Sequence, residues 1–265
     1  MVLPRIRLRS LFALTAGGVV LIGPAAALAE PWVATVGARV RVRPPYEGAD
    51  TYSVAPYPTL VIRRGDRPER FTPPDGGGVF GIIDTKHFVA GPALRFRYRR
   101  SDHGAFVGLN RIGIATEPGL FVDVWPARWL RGHVEVRRGF GGHHGWVSDA
   151  GVDLIYQGPV WSASIGPRVG FGSGDYMRTY FGVTPGEAAL SPVIDQTYEP
   201  DGGLRYTGAT IAASRKLSRR WRTTADFTYT RLADRPSRSP IVRALGSGGQ
   251  VSFAIGASYV LGRIN

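Results

Sequence analysis

Residues 32–43 read Trp-Val-Ala-Thr-Val-Gly-Ala-Arg-Val-Arg-Val-Arg, and this stretch decides the fold class. Its even-numbered positions are all apolar, whereas its odd-numbered positions end in three arginines, Arg39, Arg41 and Arg43. Side chains on a β-strand point alternately to opposite faces. An apolar residue at every second position therefore predicts a strand with one buried or lipid-covered face.

The same alternation recurs along the chain after residue 30. In residues 91–99 apolar and aromatic side chains alternate with Arg95, Arg97 and Arg99, and residues 249–262 repeat the pattern with small and polar residues. We predict about twelve strands, with ten or fourteen as alternatives and residues 104–114 as either an extra strand or a folded loop. The twelve segments are 32–43, 54–63, 78–84, 88–100, 117–126, 129–140, 146–157, 159–171, 175–183, 204–216, 221–232 and 249–262.

Strand length and aromatic placement distinguish a membrane barrel from a soluble β-sandwich. Most predicted strands have about 9–13 residues, the length that a tilted strand needs to cross a bilayer, whereas sandwich strands are shorter. Aromatic residues gather near the strand ends, as in the two aromatic girdles of outer-membrane barrels. We therefore predict an all-β fold, a transmembrane antiparallel β-barrel, with an exported soluble sandwich as the alternative. An even strand number would place both chain ends on the periplasmic side.

Residues 1–29 have the composition of a secretory signal peptide. Three arginines precede residue 10, residues 11–27 are apolar, and Ala27-Leu28-Ala29 forms a small-x-small cleavage site. The alternative is a permanent membrane anchor of similar length, but glycines and Pro24 weaken a spanning helix. We predict Sec-dependent export, cleavage after Ala29, and one barrel domain over residues 30–265 in contact with outer-membrane lipid.

Charge and cysteine content narrow the possible functions. The chain has 33 Lys and Arg against 20 Asp and Glu, a formal net charge of +13, and no cysteine. The lack of cysteine excludes disulfide scaffolds, Cys-ligated zinc, thiol catalysis and a lipoprotein anchor. A basic chain can bind nucleic acid. Here the arginines follow the strand alternation of an exported barrel, so we expect no nucleic-acid partner.

The arginines opposite the lipid-facing side chains are the strongest chemical feature. Rows of guanidinium groups in a lumen attract phosphates and carboxylates, which would suit a small anion-preferring channel. Alternatively, Glu135, Asp149, Asp153 and Asp226 neutralise the arginines within a filled lumen. Both interpretations stay open. The candidate lumen-lining residues are Arg39, Arg41, Arg43, Arg95, Arg97, Arg99, Arg137 and Arg168.

The sequence offers little for catalysis or metal binding. His133 and Glu135 share a strand face and Ser162 or Ser164 could supply a nucleophile, but no Gly-x-Ser-x-Gly elbow is present. The pair His143-His144 lies among glycines without a nearby acid cluster, so we expect a solvated turn rather than a metal site. We predict no enzymatic activity, no metal and no cofactor.

Four short motifs, in order along the chain, resemble those of the MipA/OmpV family, the MltA-interacting proteins. They are residues 44–50, residues 89–94, residues 180–184 followed by Ser191-Pro192, and residues 239–242. Because the motifs occur in the expected order, the resemblance covers the whole mature chain, residues 32–262. The motif residues that we expect in loops are Tyr46, Gly48, Tyr180, Phe181, Gly182, Val183, Ser239 and Pro240.

The resemblance implies a cellular location and a function. Members of this family are outer-membrane barrels of the Gram-negative envelope, and the namesake is described as a scaffold that links a lytic transglycosylase to a murein polymerase. The resemblance therefore implies a non-enzymatic interaction scaffold, with periplasmic murein hydrolase or synthase proteins as candidate partners. We expect the contacts in loops 184–203 and 233–248 or in the periplasmic turns.

Overall fold

Antiparallel strands joined in chain order make up most of the structure. The computed structural model describes residues 32–64, 70–71, 73, 78–100 and 102–261. The predicted signal peptide and the end of the last predicted strand lie outside the described residues. The strands are β1 (Trp32–Arg43), β2 (Ser53–Arg64), β3 (Gly78–Val79), β4 (Ile83–Asp84), β5 (Phe88–Arg97), β6 (Ala115–Ala127), β7 (Leu130–Arg138), β8 (Phe140–Gly141), β9 (Trp146–Gln157), β10 (Trp161–Gly172), β11 (Gly203–Lys216), β12 (Trp221–Leu232) and β13 (Gly249–Leu261).

The strands form a nearly closed barrel in which the first and last strands pair. The sheet runs in the order β2-β1-β13-β12-β11-β10-β9-β7-β6-β5-β3, and the register of β1 with β13 sets Ala34 opposite Leu261. The beginning of the described chain and its end therefore lie at the same end of the barrel. The prediction of an all-β, transmembrane antiparallel barrel is confirmed.

The two edges of the sheet differ from the predicted strand plan. The segment predicted as one strand over 78–84 forms the two-residue strands β3 and β4, both paired with β5. Each of the eleven positions in the sheet order is antiparallel to its neighbour, so β2 and β3 run in the same direction at the two edges.

The outward face of the strands is apolar. Leu120 is 68% exposed, Leu60 59% and Ile255 53%, and exposed valines and aromatics surround them. A belt of this kind would be unstable in water, since apolar surface costs about 25 cal/mol per Å². It is the surface that a barrel presents to lipid.

The two ends of the barrel carry different connections. At the end with the chain termini, short turns join β6 to β7, β9 to β10 and β11 to β12, and we call this the short-turn end. The opposite, long-connection end carries helices α1 (Gly174–Phe181), α2 (Pro185–Leu190), α3 (Asp234–Arg238) and α4 (Pro240–Leu245) and a short 3₁₀ turn at Gly104–Phe106. Within the described residues, no helix has the length and apolarity to cross a membrane.

The predicted strand over 175–183 is wrong, because residues 174–181 form helix α1. Tyr176, Met177, Tyr180 and Phe181 are buried, and their spacing of one and four residues follows one face of a helix rather than one face of a strand. Segment 104–114 contains only a 3₁₀ turn and an isolated bridge between Arg100 and Ile112, so it is a folded loop.

A small apolar cluster lies inside the barrel at the short-turn end. Phe71 packs against the inward-facing residues Trp125, Ile155 and Ala212 and is 4% exposed. Its backbone N–H donates to the side chain of Gln157 at 3.2 Å. Part of the lumen is therefore filled at this end.

Candidate functional site

The inner face from β5 to β11 carries buried charges of both signs, which we call the ion-pair wall. Except for Arg205, which lies at a β-bulge, these residues occupy every second position of their strands, opposite the apolar face, as the alternation predicts. The arginines of the wall are Arg95, Arg97, Arg131, Arg137, Arg168 and Arg205, and its acids are Glu117, Asp123, Glu135, Asp149 and Asp153.

Arg137 lies at the centre of the part of the wall that is nearer the long-connection end, and it is 1% exposed. Its Nε donates to Glu117 at 3.0 Å, and its two other guanidinium nitrogens donate to Glu135 and Asp149. Arg95 holds Glu135 through two hydrogen bonds of 2.7 and 2.8 Å. A planar guanidinium matches carboxylates in this way because its N–H groups form a rigid fork.

Glu47 enters the wall from the connection between β1 and β2. Arg97 donates to it at 3.1 Å, and Arg205 forms a second ion pair with it. Burial opposes ionisation of Glu47, but the adjacent Arg205 and Arg97 outweigh burial and hold the pKa of its carboxyl below the ordinary value. Asp149 accepts from Arg205 and, at 2.7 Å, from the hydroxyl of Tyr206. The first connection is thereby tied to strands that follow it by more than 100 residues.

A second group of charges lies nearer the short-turn end. Arg131 bridges Asp123 at 2.8 Å and Asp153 at 2.9 Å, and Arg168 donates to Asp153 at 2.6 Å. The Nδ1 of His133 lies 2.6 Å from Asp123. The charges in this part of the wall are therefore paired with each other.

An aromatic cluster covers the wall at the long-connection end. It consists of His143, Tyr176 and Tyr180, and we call it the cap. Tyr176 of α1 stacks against the guanidinium groups of Arg97 and Arg205, whose carbons lie 5.0 and 5.1 Å from the ring centre. The ring of His143 meets Tyr176 edge-on at 5.1 Å, and its Nε2 lies 2.8 Å from Glu117. Burial raises the pKa of Tyr180, the next aromatic of α1, to about 12, so this phenol stays neutral.

Three sequence motifs that are far apart in the chain meet in this cap. The hydroxyl of Ser239, between α3 and α4, donates to the carbonyl of Phe181 at 2.6 Å. Gly48 has a left-handed φ of 93°, and a β-carbon there would lie 2.8 Å from Val242. Glycine is therefore required at this position both by its backbone conformation and by close packing.

The opposite wall, formed by β12, β13, β1 and β2, borders a cavity of about 520 Å³. Arg39 is buried there and paired with Asp226, and the ring of Tyr57 lies 4.6 Å from the guanidinium carbon of Arg41. Hydroxyl groups and arginines provide most of the remaining polar lining: Arg43, Thr59, Arg222, Thr224, Thr228, Thr230, Ser252 and Ser258.

The candidate lumen-lining residues differ in their surroundings. All of them except Arg99 border the cavity, but Arg95, Arg97, Arg137 and Arg168 belong to the ion-pair wall, whereas Arg39, Arg41 and Arg43 lie on the opposite wall. Arg99 follows the end of β5 and is exposed, so the structure does not bring it to the others. The pairing of Arg95, Arg137, Arg168 and Arg39 with Glu135, Asp149, Asp153 and Asp226 matches the second of the two sequence interpretations.

The motif residues meet at the long-connection end, but not all of them lie in loops. Tyr180 and Phe181 belong to α1, Gly182 caps it, and Pro240 begins α4. Tyr46 lies edge-on to Phe106 at 5.5 Å. Tyr180 and Phe181 belong to an apolar cluster at this end, and Gly48 and Ser239 lie against it. Val183 belongs to a second apolar cluster, with Leu109 and Ile194.

Some central residues were not identified from the sequence. These are Glu47, Glu117 and Arg205. Their partners lie on other strands or connections, so nothing in the local sequence pattern indicates which residues they pair with. The expectation of a solvated turn at His143-His144 is wrong for His143, which is 1% exposed, and His144 is exposed. The described residues contain no group of three side chains arranged to hold a metal ion.

Comparison with solved structures finds distant likenesses. An outer membrane channel from Pseudomonas putida F1 has 11% identity and a TM-score of 0.41, with 90% of this chain and 97% of that chain covered. The NanC porin has 9% identity and a TM-score of 0.40, with 87% and 99% covered. These likenesses are too distant to bear on function. A separate comparison with curated protein sequences finds no significant match.

A protein-family comparison identifies the chain more directly. The model described as MltA-interacting protein MipA matches residues 36–261, which include all four helices and every long strand except the first four residues of β1. The apolar outer face agrees with a position in a membrane, and β-barrels of this kind occupy the outer membrane. The chain is therefore an outer-membrane β-barrel protein that belongs to the MltA-interacting protein MipA family.

Proposed function

We propose that the protein is a non-enzymatic scaffold of the Gram-negative envelope, whose barrel holds murein hydrolase or synthase proteins at the periplasmic side of the outer membrane. The observation that carries this proposal is the ion-pair wall together with its aromatic cap. Arg137 and Arg205 are each held by two or more carboxylates, so the side chains in this half of the barrel have little freedom.

Buried ion pairs favour a defined arrangement more than they favour stability. Desolvation of the charges offsets most of their attraction, but removing one partner leaves an uncompensated buried charge. A network that includes Glu47, Arg97 and Arg205 therefore specifies how the first connection sits on the barrel. Such an interior supports a rigid platform rather than a wide aqueous pathway.

The family description supports a murein hydrolase as the partner class. In bacterial barrels the short turns face the periplasm. A periplasmic partner would therefore contact the short-turn end, where Thr85, Arg128 and Ser218 are exposed. The long connections that contain α2 and α4 lie at the opposite end.

Photo-crosslinking in intact cells tests this proposal. A photoreactive amino acid replaces Thr85, Arg128 or Ser218 at the short-turn end, and matched exposed positions Asp50, Thr197 or Ala244 serve as controls at the other end. We expect crosslinks to a murein hydrolase or synthase from the short-turn positions and not from the controls. Absence of any envelope partner from all three short-turn positions would contradict the scaffold.

A second candidate function is a small anion-preferring channel, and the charge of the cavity favours it. Among the described residues, eleven arginines and four acids border the cavity, and six of these arginines belong to the ion-pair wall. Such an excess of fixed positive charge attracts anions. Arg41 and Arg43 lie beside the rings of Tyr57 and Tyr98 on the wall opposite the ion pairs, and they are the arginines that the test replaces.

Swelling of proteoliposomes separates this second candidate from the scaffold. The channel requires faster entry of small carboxylates than of neutral solutes of the same size. The variant Arg41→Gln/Arg43→Gln should abolish the preference, whereas Arg231→Gln/Arg243→Gln, at two exposed positions, should retain it. Equal entry of charged and neutral solutes would count against an anion channel.

A further inference from the structure

The two ends of the barrel differ in charge. At the short-turn end the exposed charged side chains in the described part of the chain are basic, and they are Lys86, Arg128, Arg215, Arg219 and Arg220. The one described acid of the turns there, Asp84, is partly buried and pairs with Arg70 at 3.3 Å. No described carboxylate forms an ion pair with Arg215, Arg219 or Arg220.

The long-connection end carries exposed charges of both signs. Two of its exposed arginines pair with acids, Arg178 with Asp175 at 2.6 Å and Arg238 with Asp234 at 3.2 Å. Asp195, Glu199 and Asp201 add exposed negative charge. The long-connection end is thus close to balanced, and the excess of exposed positive charge lies at the short-turn end.

The unpaired arginines lie beside aromatic side chains on the outer surface of β10–β13. We call this group the basic–aromatic rim, and it consists of Trp161, Arg215, Arg219, Arg220, Trp221 and Tyr259. Arg215 lies directly opposite Trp161 in the strand register, with its guanidinium carbon 5.3 Å from the indole. Arg220 donates to the hydroxyl of Tyr259 at 3.2 Å, and Trp221 meets Tyr259 edge-on at 5.1 Å.

The turn that carries Arg219 and Arg220 is well defined. The N–H of Leu217 donates to the carbonyl of Trp221 at 2.9 Å, and the hydroxyl of Ser218 accepts from the N–H groups of Arg220 and Trp221. The N–H of Val260 on β13 donates to the carbonyl of Arg220 at 2.9 Å. These bonds fix the backbone of the turn, on which both arginines are exposed.

We propose that the basic–aromatic rim binds the phosphate headgroup of an anionic phospholipid in the adjacent leaflet. The aromatic rings lie on the lipid-facing side of the strands at their ends, where interfacial girdles meet headgroups. A guanidinium that stacks on such a ring still has N–H groups that can bind a phosphate. A soluble acidic protein could not reach Arg215 and Trp161 without displacing lipid.

Lipid composition in nanodiscs tests the proposal with the full chain. The purified protein is placed in phosphatidylcholine nanodiscs with a minority of phosphatidylglycerol, and the lipids retained after partial delipidation are counted by native mass spectrometry. Wild type should enrich phosphatidylglycerol. An arginine that contacts the headgroups gives about a fivefold preference for anionic lipid, so loss of the three rim arginines in Arg215→Gln/Arg219→Gln/Arg220→Gln should lower the enrichment by about tenfold or more.

Two controls keep the result interpretable. Arg111→Gln/Arg138→Gln/Arg243→Gln removes the same charge from the long-connection end, including Arg138 stacked 5.7 Å from Trp146, and should keep the enrichment. The triple Arg→Lys variant of the rim preserves charge and should keep most of it, with heat-modifiable mobility confirming that each variant folds. Equal enrichment in wild type and the Gln triple variant would overturn the proposal. So would rim-dependent binding of murein sacculi without a preference for phosphatidylglycerol.

Discussion

Arg205 shows at the scale of one residue how a charge can be buried in this barrel. Its side chain is 0% exposed, and it pairs with Glu47 and Asp149, donates to the carbonyl of Phe171 at 2.9 Å, and stacks on Tyr176. A β-bulge places it there, because the pairing of β10 with β11 shifts between Gly170 and Phe171. Strand alternation alone could not have identified it.

Arg205→Ala should lower the free energy of unfolding by about 3–5 kcal/mol, because it leaves two buried carboxylates without their partner. Urea titration in lipid vesicles, followed by tryptophan fluorescence, measures this change. Arg243→Ala, at an exposed position, should change it by less than about 0.5 kcal/mol. If Arg205→Ala and Glu47→Gln were strictly additive in the double variant, the coupling described for this pair would be refuted.

Glu187 provides a prediction on pH dependence outside the membrane-spanning strands. Burial opposes its ionisation, but N–H groups of Thr184 and Asn110 and the hydroxyl of Thr184 donate to it and lower its pKa below the ordinary 4.5. The lowered folded-state pKa means that its stabilisation is fully present above about 4.5 and is lost as pH falls through the lower folded-state value.

The variant Glu187→Gln should therefore be more protease-sensitive than wild type in the α2 region near neutral pH. The difference should shrink as the pH falls from about 4.5 through the lower folded-state pKa of Glu187, where the wild-type carboxyl becomes protonated. Limited proteolysis with an acid-active and a neutral protease measures both conditions. A difference of constant size across this range would show that the carboxylate charge is not what holds this segment.

At the scale of elements, the cap joins segments that are distant in sequence. Ser239 is fully buried, and its hydroxyl contacts the end of α1 across 58 residues of chain. Ser239→Ala should cost about 1 kcal/mol of local stability, since a buried carbonyl loses its donor. Hydrogen exchange of residues 174–190 should become faster, whereas the control Thr197→Ala, exposed in the same end of the barrel, should leave it unchanged. Unchanged exchange in Ser239→Ala would refute this connection between the motifs.

The elements also show what could be predicted from sequence. Strands with one apolar face, such as β1 and β12, were placed almost to the residue because lipid on one side enforces a period of two. Helix α1 was missed because both of its parities contain apolar residues. Helix α2 has a sequence signature that was available: Thr184, Pro185 and Glu187 form a capping box with proline in the first turn.

The pairing inside the lumen could be predicted only in outline. Alternation indicates which arginines face inward. The acids predicted to neutralise them, Glu135, Asp149, Asp153 and Asp226, do form ion pairs with arginines in the structure. It cannot indicate that Glu47 reaches Arg205 or that His143 reaches Glu117, because these contacts depend on how connections fold back over the barrel.

At the scale of the whole molecule, the central claim is that the ion-pair wall and its cap fill enough of the barrel to make it a support rather than an open pore. The apolar cluster around Phe71 adds a second obstruction at the short-turn end. A variant with residues 174–181 replaced by a Gly-Ser linker provides the opened reference, once heat-modifiable mobility shows that it folds.

Single-channel recording of the full chain in planar bilayers tests this claim most directly. We expect wild type to show no steady conductance steps under conditions in which the opened reference shows them. Persistent ohmic steps from wild type, equal in size to those of the opened reference, would contradict the account.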